Sequence, residues 1–187
     1  MNGEKKEIIL EAAVEVMAEE GYYNTKMSWI ADRAEIAVGT IYNYFGSKEE
    51  VLEEIFAREF KKRLDFLAAL EDDPELTARD RIKSFLEKHF SDIKNNPSLG
   101  KILVREKEFP RKKSDAIGGY LNQLPKKLAE VLSSAHQQGQ LKIDNPDLTA
   151  AALFGAIQGV VERAVKLKEY SLLDEAAEEL MFFLESK

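Results

Sequence analysis

Apolar residues recur three and four positions apart along almost the whole chain, and no stretch shows sustained alternation with β-branched residues. That single periodicity dictates helices, because it gathers the greasy side chains on one face of a 3.6-residue turn and scatters them across both faces of a strand. The expected fold class is therefore all-α. With 187 residues, 44% of them hydrophobic, the chain can bury a real core in one domain or two small ones. It has no cysteine, so a disulfide framework and a zinc ribbon are excluded, and a reducing compartment is the natural setting. The N-terminal run Met-Asn-Gly-Glu-Lys-Lys-Glu lacks the apolar stretch of a signal peptide, and the greasy run from Ala150 to Val161 is interrupted by Gln158 and too short to span a bilayer. The expected location is cytoplasmic, without a membrane.

Punctuation then divides the helices. Ile8, Ile9, Ala12, Ala13, Val16 and Met17 give a first stripe, closed by Gly21. A two-turn helix is expected over 26–34, with Thr25 as its cap, and another over 38–45, ended by Gly46. Ser47-Lys48-Glu49-Glu50 has the form of a capping box and opens a long helix through Leu67, which Asp72-Asp73-Pro74 stops. Further helices are expected at 76–95, 97–106, 113–138, 147–168 and 172–185, with Pro125 kinking or splitting the third of these.

Charge argues against a broad basic surface. The chain carries 27 Lys and Arg against 34 Asp and Glu, a net charge of −7, and residues 1–50 hold five basic side chains against ten acidic ones. A nucleic-acid contact must come from a few placed groups. Few cations also mean few neutralised phosphates, so binding strength has to come from pairing two copies.

Two short helices joined by Glu35-Ile36-Ala37 have the spacing of a helix-turn-helix, in which the second helix enters a major groove. In Val38-Gly39-Thr40-Ile41-Tyr42-Asn43-Tyr44-Phe45, Val38, Ile41 and Phe45 face a core and leave Thr40, Tyr42, Asn43 and Tyr44 on other faces. Hydroxyls and an amide on an exposed two-turn helix suit phosphates and base edges. The segment Thr25 to Leu52 resembles the DNA-binding domain of the tetracycline-repressor (TetR) family, through the Thr before helix two, Ile30-Ala31, Ala34, the Gly39-Thr40-Ile41-Tyr42 and Tyr44-Phe45 run, and Ser47-Lys48-Glu49.

The resemblance implies a helix-turn-helix domain over 1–47 and a helical ligand-binding and dimerisation domain over 48–187. It implies a homodimer that leaves its operator when a small hydrophobic effector binds, with no enzyme activity, cofactor or metal. By position it gives Thr40, Tyr42, Asn43 and Tyr44 to the groove, Lys48 to a phosphate, and Lys26 and Met27 to the DNA backbone. Two positions depart from the family pattern. Glu35 replaces the usual turn glycine and Ala37 the usual Ser cap, a loss of about 1 kcal/mol for the cap. Trp29 stands where a charge is more frequent, either packing on a neighbouring helix or touching the backbone.

Helix 147–168 carries a small-residue face that includes Ala152, Gly155, Ala156 and Gly159, and the last helix a stripe with Leu173, Ala177, Leu180 and Leu184. The resemblance makes these the dimer interface; packing within the subunit is the alternative. Such a dimer would present its two recognition helices about 34–36 Å apart to a near-palindromic double-stranded operator. The effector cavity it implies lies among the central helices, with Phe85, Phe109, Leu124, Phe154 and Ile157 as walls and His89, Arg105, Tyr120 and Gln158 as polar handles. The layout from His89 to Leu121 is similar to that of acyl-CoA-responsive TetR-type repressors of fatty-acid degradation. A long-chain acyl-CoA is thus the first effector class and a drug-like multidrug effector the second. Arg105, Lys107, Arg111, Lys112 and Lys113, clustered about Pro110, stand as a phosphate site or as a solvated loop. Transmission is expected through the helix over 48–70, which joins head to bundle.

A helical enzyme finds no support: Leu86 and Ser133 precede the two histidines by three, so neither belongs to a Glu-x-x-His di-iron motif, and Gly-rich phosphate loops are absent. A protein-binding helical adaptor without DNA remains the rival reading.

Overall fold

The computed structural model describes residues 2–106 and 116–185. The described chain forms α1 (Asn2–Glu20), α2 (Met27–Arg33), α3 (Val38–Tyr42), α4 (Lys48–Glu71), α5 (Ala78–Asn95), α6 (Pro97–Arg105), α7 (Ala116–Gln137), α8 (Pro146–Leu167), a 3₁₀ turn (Tyr170–Leu173) and α9 (Ala176–Glu185). No strand occurs among the described residues. The all-α expectation follows directly from the apolar spacing and is met.

Local chemistry explains where the helices start. Asn96 and Asn145 cap α6 and α8 in the same way, each side-chain oxygen accepting from the backbone N–H three residues on while Pro97 or Pro146 fills the first turn. Thr77 and Asp80 form a reciprocal capping box on α5. At α4, Ser47 accepts from the Glu50 N–H, but the Glu50 carboxylate reaches back to the N–H of Gly46 at 2.7 Å instead of that of Ser47. Gly21, at φ +78°, ends α1 as expected.

Several boundaries differ from expectation. Thr25 does not cap α2; its hydroxyl donates to the Gly21 carbonyl at 2.8 Å, and Lys26 occupies the cap position without a side-chain bond. The third helix stops at Tyr42, followed by a turn. Of the kink or split expected at Pro125 the split does not occur, since α7 continues through it as one helix, and the expected helix over 172–185 divides into the 3₁₀ turn and α9. Ile8 is 43% exposed, so the buried stripe of α1 begins at Ile9 and Leu10.

One continuous core links head and bundle. Ile9, Met17, Ile30, Ile41, Leu52 and Phe56 pack the head; Leu67, Ile82, Phe85, Phe90, Leu128 and Leu132 pack the bundle. Helix α7 lies against α4, α5 and α8, while α6 bridges α1 and α8. By length and mean hydropathy α8 could cross a bilayer, but Leu153, Ile157, Val161, Ala164 and Val165 are buried among its neighbours, as in the core helix of a bundle.

Candidate functional site

The turn between α2 and α3 places Glu35 at φ +54°, the left-handed region that a non-glycine residue occupies at a cost. Ala37 takes the cap position of α3 in extended geometry with no side-chain bond. Both departures noted in the sequence are therefore real at the level of backbone. Ile41 and Phe45 are buried and Val38 packs beside them, which turns the opposite face of α3 outward: Tyr42 is 53% exposed, Asn43 is exposed and Thr40 half-buried. Tyr44 lies elsewhere, half-buried against the core. Met27 is likewise half-buried and packed inward. Trp29 is 37% exposed, with the Lys26 ammonium 4.9 Å from its ring centre. Lys26, Trp29, Thr40, Tyr42 and Asn43 therefore form the outer surface of the helix-turn-helix.

Lys48 is used differently. Its ammonium donates to the backbone carbonyls of Tyr22 at 2.5 Å, Thr25 at 2.7 Å and Tyr23 at 3.1 Å, and sits 4.5 Å over the Tyr22 ring. All three of its donors are committed, so the first residue of α4 staples the loop between α1 and α2. Burial lowers its pKa, with Glu49 and Glu106 pulling the other way. Burial, aided by Glu49, pushes the Tyr22 hydroxyl up to about 12. The end of α6 grips the same region: Glu106 accepts from the Tyr22 N–H at 3.3 Å, and Arg105 donates to the Ala18 carbonyl at 3.3 Å.

The bundle holds a small apolar cavity of about 50 Å³ bounded by α4, α5, α6, α7 and α8. His89, Leu124, Phe154, Ile157 and Gln158 line it as expected, joined by Phe60, Arg63, Ile93 and Val161, which sequence reasoning passed over. Two other expectations place differently. Phe85 faces an outer groove between α4 and α5, and Arg105 is committed to Ala18. Phe109, with Lys107, Arg111, Lys112 and Lys113, lies outside the described residues, as does the side chain of Tyr120.

Arg63 is the unexpected member. Buried beside Glu59, it donates through Nη1 to the Glu59 carbonyl at 2.7 Å and carboxylate at 3.0 Å, and through Nε to His89 Nδ1 at 3.0 Å. Burial raises the Glu59 carboxyl, but Arg63 and Lys62 outweigh it and hold its pKa below the usual range. Burial, with Arg63 adding to it, lowers His89 far enough to keep it neutral, in keeping with Nδ1 accepting a bond. The signal was present in the sequence: Glu59 and Arg63 continue the same face as Phe56 and Leu67, where a stripe needs apolar residues.

The two halves of the proposed pairing surface behave oppositely. On α8, Ala152, Gly155 and Gly159 are exposed and Ala156 is half-buried, and a Cβ added at Gly155 or Gly159 would meet nothing within 4 Å. Their smallness is not spent inside the subunit. Leu173, Ala177, Leu180 and Leu184, however, are buried within the protomer and cannot also face a partner. The outward face of α9 carries Phe182 and Phe183, 64% and 66% exposed, and Leu148 on α8 is 67% exposed.

A three-helix head with a polar outward helix, carried on a long helix that enters a bundle with an apolar cavity, defines a one-component regulator: one chain that combines DNA reading with effector sensing. Residues 9–55 match the profile of the bacterial regulatory proteins of the tetR family and residues 75–162 that of the tetracyclin repressor-like C-terminal domain, and the chain belongs to this family. It is 33% identical over 162 residues to the fatty acid metabolism regulator protein of Bacillus subtilis, spanning 82% of this chain and 79% of that one. Over 102 residues it is 32% identical to the transcriptional repressor KstR of Mycobacterium tuberculosis, covering 54% of this chain and 46% of that one. Among solved structures, FadR of Bacillus subtilis in complex with stearoyl-CoA superposes with a TM-score of 0.81 at 28% identity, covering 96% of this chain and 98% of that one. The fatty acid degradation regulator FadR of Bacillus halodurans superposes at 0.83 and 27%, covering 96% and 94%. The chain is a DNA-binding transcriptional regulator with a ligand-binding domain, and its relatives are regulators, not enzymes.

Proposed function

We propose that this regulator is a repressor that holds a near-palindromic operator as a homodimer and leaves it when a long-chain acyl-CoA enters the bundle. The reading surface is Lys26, Thr40, Tyr42 and Asn43, with Trp29 beside them, and the head comprises residues 1–47 against a sensing and pairing domain over 48–187. The observation that carries the DNA reading is Tyr42, a large aromatic held out in water on the helix that a helix-turn-helix presents to the groove. Lys48 contributes by fixing the loop that positions α2. Pairing runs through the outward face of α8 and α9, namely Leu148, Ala152, Gly155, Gly159, Phe182 and Phe183. The protein acts in the cytoplasm, where its DNA is.

The stearoyl-CoA complex of the FadR relative and the apolar walls of the cavity support the effector class. A space of about 50 Å³ is far below the roughly 300–1,000 Å³ of ligand sites, so an acyl chain can enter only by parting the helices. Two of those helices, α4 and α6, also end on the last turn of α1 and the loop after it, residues 18–25, through Lys48 and through Arg105 and Glu106. Parting them shifts both heads and moves the population away from the spacing the operator requires.

The test selects duplexes from random DNA with the purified dimer and follows binding by fluorescence anisotropy. Tyr42→Ala is expected to weaken the selected site about tenfold or more while the melting temperature and dimer persist. Palmitoyl-CoA is expected to release the DNA. Failure to prefer any duplex at low salt overturns the reading, and release by cationic drugs alone replaces the effector class.

A further inference from the structure

Arg63 is 6% exposed, yet one of its donors has no use inside the protein. Nε and Nη1 are taken by His89 and Glu59, whereas Nη2 is buried without a hydrogen-bond partner. A buried charged donor left unmade is costly, and the rigid fork of a guanidinium cannot turn away while its other arms are held.

Arg63 and His89 also stand between two spaces. On one side is the apolar cavity, walled here by Phe60, Leu124 and Ile157; on the other is the groove of about 160 Å³ between α4 and α5, bordered by Lys62, Phe66, Phe85, Lys88 and Asp92. Lys88 pairs with Asp92 at the surface, a kind of pair that is worth little and exchanges readily, while Lys62, half exposed, reaches in to the buried Glu59, which keeps Arg63 as its partner if Lys62 turns outward. From inside to outside the order is apolar walls, one unused donor, then exchangeable cations. An amphiphile with an aliphatic tail, a carbonyl and an anionic head has the same order. The buried charges already balance, Arg63 against Glu59, so a neutral carbonyl adds no uncompensated charge whereas a carboxylate would.

We propose that Arg63 Nη2 is the donor to the thioester carbonyl of a long-chain acyl-CoA whose tail fills the inner cavity and whose phosphates leave through the α4–α5 groove past Lys62 and Lys88. This rests on the acyl-CoA reading above and assigns its polar contact to α4 and α5.

The test uses calorimetric titration of the full-length dimer with palmitoyl-CoA, with S-hexadecyl-CoA, a thioether that lacks the carbonyl, and with palmitate. The wild-type protein is expected to bind palmitoyl-CoA about tenfold or more tightly than the thioether, the range of a hydrogen bond from a charged donor. The double variant Glu59→Gln/Arg63→Met leaves no bare buried charge and is expected to bind the two alike. Lys62→Gln/Lys88→Gln is expected to weaken both CoA compounds. Equal wild-type affinity for the two, or discrimination retained without Arg63, overturns the carbonyl contact. Tighter binding of palmitate makes the acceptor a carboxylate and overturns the thioester assignment, and unchanged affinity without the two lysines overturns the route. Binding of neither CoA compound instead overturns the effector class itself. The wild-type comparison needs no variant, so it stands even if the substituted proteins fail to fold.

Discussion

Glu35 holds a left-handed backbone at φ +54° on the turn of the reading head, with no side chain capping the helix that follows. Glycine takes that geometry without Cβ strain and loses part of the gain to its freer unfolded state. Glu35→Gly is therefore expected to stabilise the protein by up to about 1 kcal/mol, read as a higher denaturation midpoint; a lower midpoint refutes the strain. Lys48 gives the opposite expectation. Lys48→Met strips a charged donor from three carbonyls at 2.5–3.1 Å and should cost about 2 kcal/mol of stability. Operator affinity should fall with it through a loosened α1–α2 loop, visible as faster amide exchange at Tyr22 to Thr25. A loss of affinity with unchanged exchange would make Lys48 a phosphate ligand instead.

Among the elements, α9 differs most from its sequence reading. Its apolar residues split into two faces, because Leu180, Met181 and Leu184 are buried while Phe182 and Phe183 point into solvent. Two adjacent exposed phenylalanines waste apolar surface in a lone protomer and suit a pairing face continuous with the small residues of α8. Phe182→Lys/Phe183→Lys is expected to convert the dimer to monomers in sedimentation analysis and to abolish operator binding, with helix content unchanged by circular dichroism. A persistent dimer moves the interface elsewhere. Leu180→Ala should act on the fold instead, since that side chain is buried inside the protomer.

At the scale of the whole molecule, the buried cluster on α4 and α5 couples stability to pH. His89 ordinarily titrates near 6.5, and burial together with Arg63 lowers its folded value well below that. The unfolded chain thus binds the extra proton first. The stabilisation is complete above about pH 6.5 and is lost as pH falls from there toward the folded value, at about 1.4 kcal/mol per pH unit. Glu59, also lowered in the fold, adds its own loss at pH below the ordinary carboxylate value of 4.5. Urea unfolding of wild type and His89→Gln between pH 7.5 and 5.5 reads the first effect: the variant should lose the slope, and parallel curves would remove His89 as its source. Because α4 and α6 both line the cavity and both end on residues 18–25, these contacts are the route by which the proposed effector would act on the head.

The spacing of apolar residues, the Asn-Pro and Gly punctuation and the hydroxyl-rich recognition segment determined by themselves the all-helical class, the helix-turn-helix and the outward placement of Tyr42 and Asn43, since all of these depend on neighbours within a turn or two. Tertiary structure alone decided the rest. Whether Lys48 meets carbonyls or solvent, whether Leu180 or Phe182 faces outward, and whether Arg63 is buried with Glu59 and His89 depend on which distant helices lie across each face, and helical periodicity names a face without naming what covers it.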